Sequence, residues 1–484
     1  MSTYRHSVYN VIGMVLPVAV TLLTVPLYLE TVGIERYGVL AVCWVLLGYL
    51  GFLDLGLAPA VAQKIASAKD EEAGGAQAIF WTAAWVSIAA GILSALLFYA
   101  GAAVYFAAGA VKSSFNGEIR AAVPLLGLLL PVGMLSSVGA GALQARERFL
   151  ALNVINVTSS TLMSVLPLLV AYTWSPTLEG LVAGSLAARF IGLVLLFANC
   201  FAAVPLSRVL RPRKDLTASL LKFGGWMTIS TAVAPLLVTV DRLAIGGLLG
   251  AAAVAAYSIP FSLIARMPII SIGISAALFP RFAAATDLER KRLMTLAIAA
   301  IVGAMTPICI VVIALVEPFF TLWVGPRLAT ISAPVACFLV IGAWANGIAY
   351  IPMTKLQGSG QPDIVAKIHL SELVPYWLTL AGSLYFFGLA GAAVAWSLRC
   401  TADCMLLYWQ SRIGFSSLYA FLIPFLLVLV ALLAALALGS PERWAVWAAT
   451  FSLACLWTGY NLPDALRDKL GALGRVLPRR HLQG

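Results

Sequence analysis

The stretch LVAGSLAARFIGLVLLFANCFAA, residues 181–203, is an apolar run that contains a single charged side chain, Arg189. As an α-helix rising about 1.5 Å per residue, it is long enough to cross the roughly 30 Å hydrocarbon core of a bilayer. Similar runs recur along the whole chain, whose 484 residues are 62% hydrophobic and 11% charged, with a mean hydropathy of +0.97. Soluble domains carry roughly 25% charged residues. The sequence therefore predicts an all-α, polytopic membrane protein.

The lengths of the apolar runs predict about fourteen transmembrane helices. The predicted spans are 7–29, 37–62, 77–107, 121–143, 152–174, 181–203, 223–249, 252–280, 295–316, 334–354, 370–388, 389–409, 419–440 and 443–462. Most Lys and Arg residues fall in the termini and in the even-numbered loops. The odd-numbered loops contain only Arg36, Lys112, Arg120, Arg327 and Arg443. Because basic residues are enriched in cytoplasmic loops, both termini are predicted to be cytoplasmic.

Two pairs of segments indicate an internal repeat. GALQARERFLALN (141–153) parallels TKLQGSGQPDIVAK (354–367), and LEGLVAGSLAARF (178–190) parallels LAGAAVAWSLRCT (389–401), at nearly equal offsets. The alternative is chance similarity between helices rich in small residues. The repeat predicts two pseudo-symmetric six-helix lobes around a central cavity. The predicted organisation is an N-terminal lobe at 1–206, a basic cytoplasmic linker at 207–222, a C-terminal lobe at 223–410, two additional transmembrane helices within 411–462, and a basic cytoplasmic tail at 463–484.

Several functional classes find little support in the sequence. The net charge of +11 follows from membrane topology, and no soluble stretch is large enough for a nucleic-acid-binding domain. The seven cysteines lack metal-ligand spacing and are interpreted as packing residues. The three histidines, His6, His369 and His481, fall in the termini or in a loop. No enzymatic activity, metal or cofactor is expected.

Charged side chains inside the predicted spans are the candidate functional residues, because each costs roughly 2.5–3.5 kcal/mol near mid-bilayer. The arginines fit an anionic ligand, since a guanidinium matches phosphate oxygens bidentately. A diphosphate headgroup suits them well. The candidate substrate-binding residues are Arg189, Arg242, Arg266 and Arg399, and the candidate coupling or gating residues are Asp54, Asp241, Asp403 and Glu372.

A structural role competes with the functional one at each of these positions. Arg399 and Asp403 lie one helical turn apart, a spacing that permits a direct ion pair. Glu372 lies near the cytoplasmic end of its span, where its carboxylate can reach water or Lys367. If the arginines are functional, Arg189 and Arg399 are predicted to face one cavity as a clamp on a shared headgroup, because they occupy nearly matching positions of the repeat.

A family resemblance is carried by motifs spread over roughly residues 7–410. The opening stretch at 9–66 contains Asn10, Pro17, Pro26, the pair Tyr37 and Gly38, and LDLGL around Asp54. It is followed by DRLAIGGLLG (241–250), AAYSIPF (255–261), LFPRFA (278–283), LWVG (322–325), LQGSGQPDIVAK (356–367) and GLAGAAVAWSLR (388–399). Together they resemble the polysaccharide flippases of the Wzx type, in the multidrug/oligosaccharidyl-lipid/polysaccharide exporter superfamily. The two helices after residue 411 resemble instead an added pair in the lipid II flippase branch.

The resemblance implies alternating access in the bacterial inner membrane. The expected substrate is an undecaprenyl-diphosphate-linked oligosaccharide, moved from the cytoplasmic to the periplasmic leaflet, and the resemblance places functional expectation on Asp54, Asp241, Arg242 and Arg399. Expected partners are membrane lipid and, further along the route, a polysaccharide polymerase and export machinery, without nucleic acid. Two alternatives stay open at this stage: a multidrug or cation antiporter of the same superfamily, and an integral membrane glycosyltransferase or polymerase.

Overall fold

The computed structural model describes residues 2–50, 57–67, 73–107, 115–204, 206, 211–411 and 419–461. Within these residues the chain is α-helical and has no strand. The helices are α1 (Ser2–Thr31), α2 (Gly33–Leu50), α3 (Leu57–Ser67), α4 (Ala73–Ala107), α5 (Asn116–Ala145), α6 (Phe149–Thr173), α7 (Leu178–Ala203), α8 (Lys214–Leu249), α9 (Ala251–Ile264), α10 (Ile269–Ala284), α11 (Asp287–Val324), α12 (Pro326–Gly358), α13 (Pro362–Gln410), α14 (Tyr419–Ala437) and α15 (Glu442–Asn461).

Every predicted span overlaps a described helix. Seven of the described helices are long and apolar enough to cross a membrane, and an eighth span is formed if α9 and the first part of α10 count as one helix bent by 46°. The prediction of an all-α, polytopic membrane protein is thus confirmed. The total of about fourteen spans stays a prediction, as does the division into repeat lobes.

The chain forms two compact units, Met1–Ser258 and Ile259–Gly484. In the first unit, α5 packs against α3, α4 and α7, while α6 packs against α1 and α7. Its buried core includes Leu57, Phe80, Val138, Leu196 and Leu220, contributed by α3, α4, α5, α7 and α8. In the second unit, α12 packs against α10, α11 and α13.

One polar network joins three helix ends of the first unit. Arg36, near the start of α2, donates from Nε and a terminal nitrogen to the Glu118 carboxylate at 3.0 and 2.7 Å. The backbone N–H of Leu178 donates to the same carboxylate at 3.0 Å. Glu118 therefore holds the first turn of α5 to the beginnings of α2 and α7.

Close backbone approach defines another contact of the first unit, between α2 and the α8–α9 turn. A Cβ atom built at Gly38 would collide with the backbone carbonyl of Ala251, whereas one built at Gly247, near the end of α8, would meet nothing within 4 Å. Only glycine at position 38 allows the two backbones to come this close.

Gly38→Ala should therefore destabilise the protein by about 1–3 kcal/mol, the usual cost of overpacking. Gly247→Ala is the matched control and should be neutral or slightly stabilising, since alanine favours a helix by up to about 1 kcal/mol over glycine. Thermal unfolding of the purified variants in detergent measures both. Equal melting temperatures for the two variants would contradict the tight contact.

The last two helices pack against α11 in the second unit. The Thr458 hydroxyl of α15 donates to the Gly303 carbonyl of α11 at 3.1 Å. At one end of the same helix pair, Arg443 donates to Glu317 at 2.6 Å. Helix α15 is thus fixed to α11 by polar contacts as well as by packing.

The longest helix, α13, is folded back on itself at Gly388. The backbone there has φ 57° and ψ −138°, a conformation open mainly to glycine. Residues 370–388 and 389–409, predicted as two spans, are the two arms of this hairpin. Glu372 in the first arm lies near Arg399 in the second, and His369 lies near Asp403. The two arms therefore run antiparallel with these residues on facing sides.

Candidate substrate-handling site

The α13 hairpin gathers four ionisable side chains into one cluster. Arg399 lies 3.6 Å from the Glu372 carboxylate, and His369 Nε2 lies 3.5 Å from Asp403 Oδ1. His369 and Glu372 are three residues apart, and Arg399 and Asp403 four apart, so each pair shares a helix face. We refer to His369, Glu372, Arg399 and Asp403 as the α13 cluster.

The α13 cluster is buried and holds two acids close together. Glu372 and Asp403 are 6% and 5% exposed. Within the described part of the chain, both Glu372 oxygens and Asp403 Oδ1 lack a hydrogen-bond donor. The cluster contains two carboxyl groups and one guanidinium, so a state in which both carboxyls are ionised would leave one negative charge that the guanidinium does not compensate. A buried charge without full compensation is costly, so this state favours the uptake of a proton or of a cation by the cluster.

The contacts in the α13 cluster differ from three sequence-based expectations. Among the described ion pairs, Arg399 lies beside Glu372 rather than Asp403, because the hairpin brings an acid from the opposite arm within reach. Lys367 pairs with Asp363, one turn earlier, at 2.8 Å and not with Glu372. His369 was expected in a loop, but it lies inside α13, since this helix starts before the apolar run does.

Asp241 and Arg242 form a second buried group, in the first unit. Asp241 is fully buried, and its carboxylate accepts hydrogen bonds from the Tyr257 hydroxyl at 2.6 Å and from the Arg242 backbone N–H at 2.8 Å. The Arg242 guanidinium lies 3.5 Å from the same carboxylate. Asp241 therefore links α8 to α9 and holds Arg242 close.

Arg189 and Arg266 have different surroundings. Both are exposed in the structure, and no carboxylate of the described residues lies within ion-pair distance of either guanidinium. Arg266 lies in the break between α9 and α10, where the chain bends by 46°. The four candidate arginines thus fall into two held by carboxylates, Arg242 and Arg399, and two whose charge is available to a ligand.

The remaining candidates have mixed outcomes. Asp54 lies outside the described residues. The structure adds His369 to the candidates, and the signal for it was its distance of one helical turn from Glu372.

The structure also draws attention to NVINVTSSTLMS, residues 153–164, a run rich in Asn, Ser and Thr within the apolar helix α6. That run was visible in the sequence but carries no charge, so a search for charged residues missed it.

Comparisons with known proteins agree with this architecture. A protein of Shigella flexneri named "Putative O-antigen transporter" is 30% identical to this chain, over 84% of this chain and 97% of its own length. The solved lipid II flippase MurJ in an inward closed conformation has a TM-score of 0.67 at 14% identity, covering 97% of this chain and 100% of its own. An inward-facing multidrug resistance MATE family transporter of the MOP superfamily also has a TM-score of 0.67 at 14% identity, covering 84% of this chain and 96% of its own. These two likenesses establish the fold that the chain shares with both transporters.

A model of one protein family matches more than half of the chain. It covers residues 4–286 and is described as a polysaccharide biosynthesis protein family. The match runs from α1 to the end of α10 and stops just before α11. Together with the Shigella flexneri relative, it shows that the chain belongs to the polysaccharide biosynthesis protein family of polytopic membrane proteins.

Proposed function

We propose that the protein flips a polyprenyl-diphosphate-linked oligosaccharide from the cytoplasmic to the periplasmic leaflet of the bacterial inner membrane by alternating access. The family match, the relative named as an O-antigen transporter and the MurJ fold all support this function. The observation that carries it is Arg266, an exposed arginine in the break between the apolar helices α9 and α10. Arg189, inside the apolar helix α7, is a second exposed arginine. Guanidinium groups without a carboxylate partner suit the oxygens of a diphosphate.

Arg266 is the stronger of the two headgroup contacts. Non-helical backbone at membrane depth is tolerated where it lines a polar space, and the break between α9 and α10 places Arg266 at such a point. The N-terminal end of α10, with its partial positive charge, begins beside Arg266 and adds to the attraction for an anion. Arg242 and Arg399 then act as positioning residues through Asp241 and Glu372.

We propose the α13 cluster as the coupling element. When a proton or a cation binds to its carboxylates, the negative charge on the cluster is compensated and the Arg399–Glu372 pair loses part of its electrostatic attraction. Glu372 and Asp403 are the acids that this role requires. Asp241 and Asp54 are further coupling candidates.

Orientation and partners complete the proposal. The concentration of Lys and Arg in the even-numbered loops favours cytoplasmic termini. The flipped substrate would pass to a polysaccharide polymerase and export machinery on the periplasmic side. A multidrug antiporter shares the fold, but the family and the 30% identical relative favour a saccharide-bearing lipid.

Reconstitution tests the proposed function directly. Cells that lack the gene should accumulate the lipid-linked oligosaccharide, which can be extracted and placed in liposomes with the purified protein. Periodate added outside oxidises sugars of the outer leaflet only. In liposomes that contain the protein, we expect periodate to oxidise the sugar of lipids from both leaflets, because inner-leaflet lipids are flipped outward. In liposomes that contain the denatured protein, the sugar in the inner leaflet should stay unoxidised. Identical protection in the two preparations would contradict flipping.

A further inference from the structure

The middle of α6 carries a row of uncharged polar side chains on one face. Asn153, Asn156, Ser160 and Ser164 follow one another at spacings of three, four and four residues, which places them along one side of the helix. We call these four residues the α6 polar face. Ser160 lies near the midpoint of Phe149–Thr173, a helix that is apolar and long enough to span the membrane. The face is therefore central in its span.

Two members of the α6 polar face are exposed residues. Asn156 and Ser160 are exposed, while Asn153 and Ser164 are half-buried. No side-chain hydrogen bond of Asn156 or Ser160 is made with any residue that the structure describes. Thr173, near the end of the same helix, instead donates to the Leu169 carbonyl at 2.8 Å. Asn156 and Ser160 thus keep their hydrogen-bonding capacity unused.

Neighbouring helices leave this part of the face uncovered. Helix α1 covers the far end, where the Tyr28 hydroxyl donates to the Ser164 carbonyl at 2.8 Å. Helix α7 packs beside the face, with Gly192 against Ser159. Val154 and Leu169, on the opposite side of α6, are exposed and apolar, as expected for contact with lipid. The helix therefore presents an apolar side and a polar side at the same depth.

Hydrocarbon is a poor occupant for the polar side. An amide or hydroxyl without a hydrogen-bond partner is costly in an apolar medium. A diphosphate prefers cationic donors, and the face has none. A saccharide is complementary, because each of its hydroxyls both donates and accepts, as do the asparagine amide and the serine hydroxyl.

We propose that the α6 polar face, through Asn156 and Ser160, binds the saccharide part of the lipid-linked substrate and contributes to its selection. This inference rests on the proposed function for the identity of the ligand. In this inference, uncharged groups of the first unit bind the sugar, and arginines bind the diphosphate. A site of hydrogen-bond donors and acceptors discriminates strongly against ligands that leave those groups unpaired.

Thiol labelling tests whether the face meets water or lipid. Asn156→Cys and Ser160→Cys should react with a membrane-impermeant methanethiosulfonate reagent in opened membrane vesicles, above the level that the seven native cysteines give in the wild type. Val154→Cys and Leu169→Cys are the matched controls on the lipid side and should stay at that level. Equal labelling of all four positions, or labelling of none, would overturn the inference.

Binding tests the ligand itself, with two lipids as probes. Undecaprenyl diphosphate has no sugar, and the lipid-linked oligosaccharide extracted from cells that lack the gene has one. We expect Asn156→Leu with Ser160→Ala to weaken binding of the second lipid at least tenfold and to leave the first unchanged, while Thr173→Val changes neither. An equal loss for both lipids, or no loss, would overturn saccharide recognition. If the wild type bound neither lipid, the proposed flippase function itself would be contradicted, whatever the result of the labelling.

Discussion

Arg399→Ala should destabilise the protein by about 3–5 kcal/mol, because removing one partner of a buried ion pair leaves the other charge uncompensated. Arg399 and Glu372 expose only 10% and 6% of their side chains. Glu372 would then remain in the α13 cluster with Asp403 and without a guanidinium. The unfolding temperature in detergent and the amount of protein inserted in membranes both measure this effect.

Two further variants separate the buried pair from general damage to α13. Glu372→Gln combined with Arg399→Met removes both charges and should recover most of the lost stability. Lys367→Ala breaks the Lys367–Asp363 pair on the same helix, whose side chains are 75% and 61% exposed, and should cost less than about 0.5 kcal/mol. If Arg399→Ala kept full stability and lost only transport, Arg399 would contact the substrate and its assignment as a positioning residue would be wrong.

Arg266→Ala should lower the affinity for undecaprenyl diphosphate by about 10- to 150-fold, since a hydrogen bond to a charged group contributes about 1.5–3 kcal/mol. The affinity of Arg266→Lys should lie between those of the wild type and Arg266→Ala, because lysine keeps the charge but cannot form a bidentate contact. Flipping in proteoliposomes should decrease in the same order. Stability should change little, since no described carboxylate depends on Arg266.

The matched control for Arg266 is an exposed arginine outside the apolar core of its helix. Arg292, near the start of α11, is exposed, and Arg292→Ala should bind the lipid as the wild type does. Arg189→Ala, measured in the same way, shows whether Arg189 also contributes to the affinity for the lipid. Unchanged affinity of Arg266→Ala would remove Arg266 from the proposed site.

The sequence predicted the architecture well because hydrophobic runs report on the solvent that each residue meets. Residues 181–203 and 121–143 fall on α7 and α5 with small differences at their ends. The bend at 265–268 was less predictable. Residues 252–280 were predicted as one continuous span, and the position of Arg266 in a break within it depends on the packing of both helix segments.

Pairing of charges was predicted least well, because it depends on contacts between distant residues. The one-turn spacing of Arg399 and Asp403 favoured a local pair, and the true partner lies 27 residues earlier, in the opposite arm of the α13 hairpin. The α6 polar face was overlooked for a different reason. Asparagine and serine have little weight in a search for charges, although an unsatisfied amide is a strong signal in a medium without water.

The turn at Gly388 also bears on how the protein enters the bilayer during synthesis. Each arm of α13 carries ionisable groups that make insertion unfavourable when the arm is alone. Because the turn between the arms is tight, both can enter as one hairpin, with Glu372 and Arg399 already neutralising each other. We therefore expect the second arm to assist insertion of the first. Truncation after residue 388 should leave the shortened chain poorly integrated in the membrane, even though its last segment is apolar enough to look like an independent span.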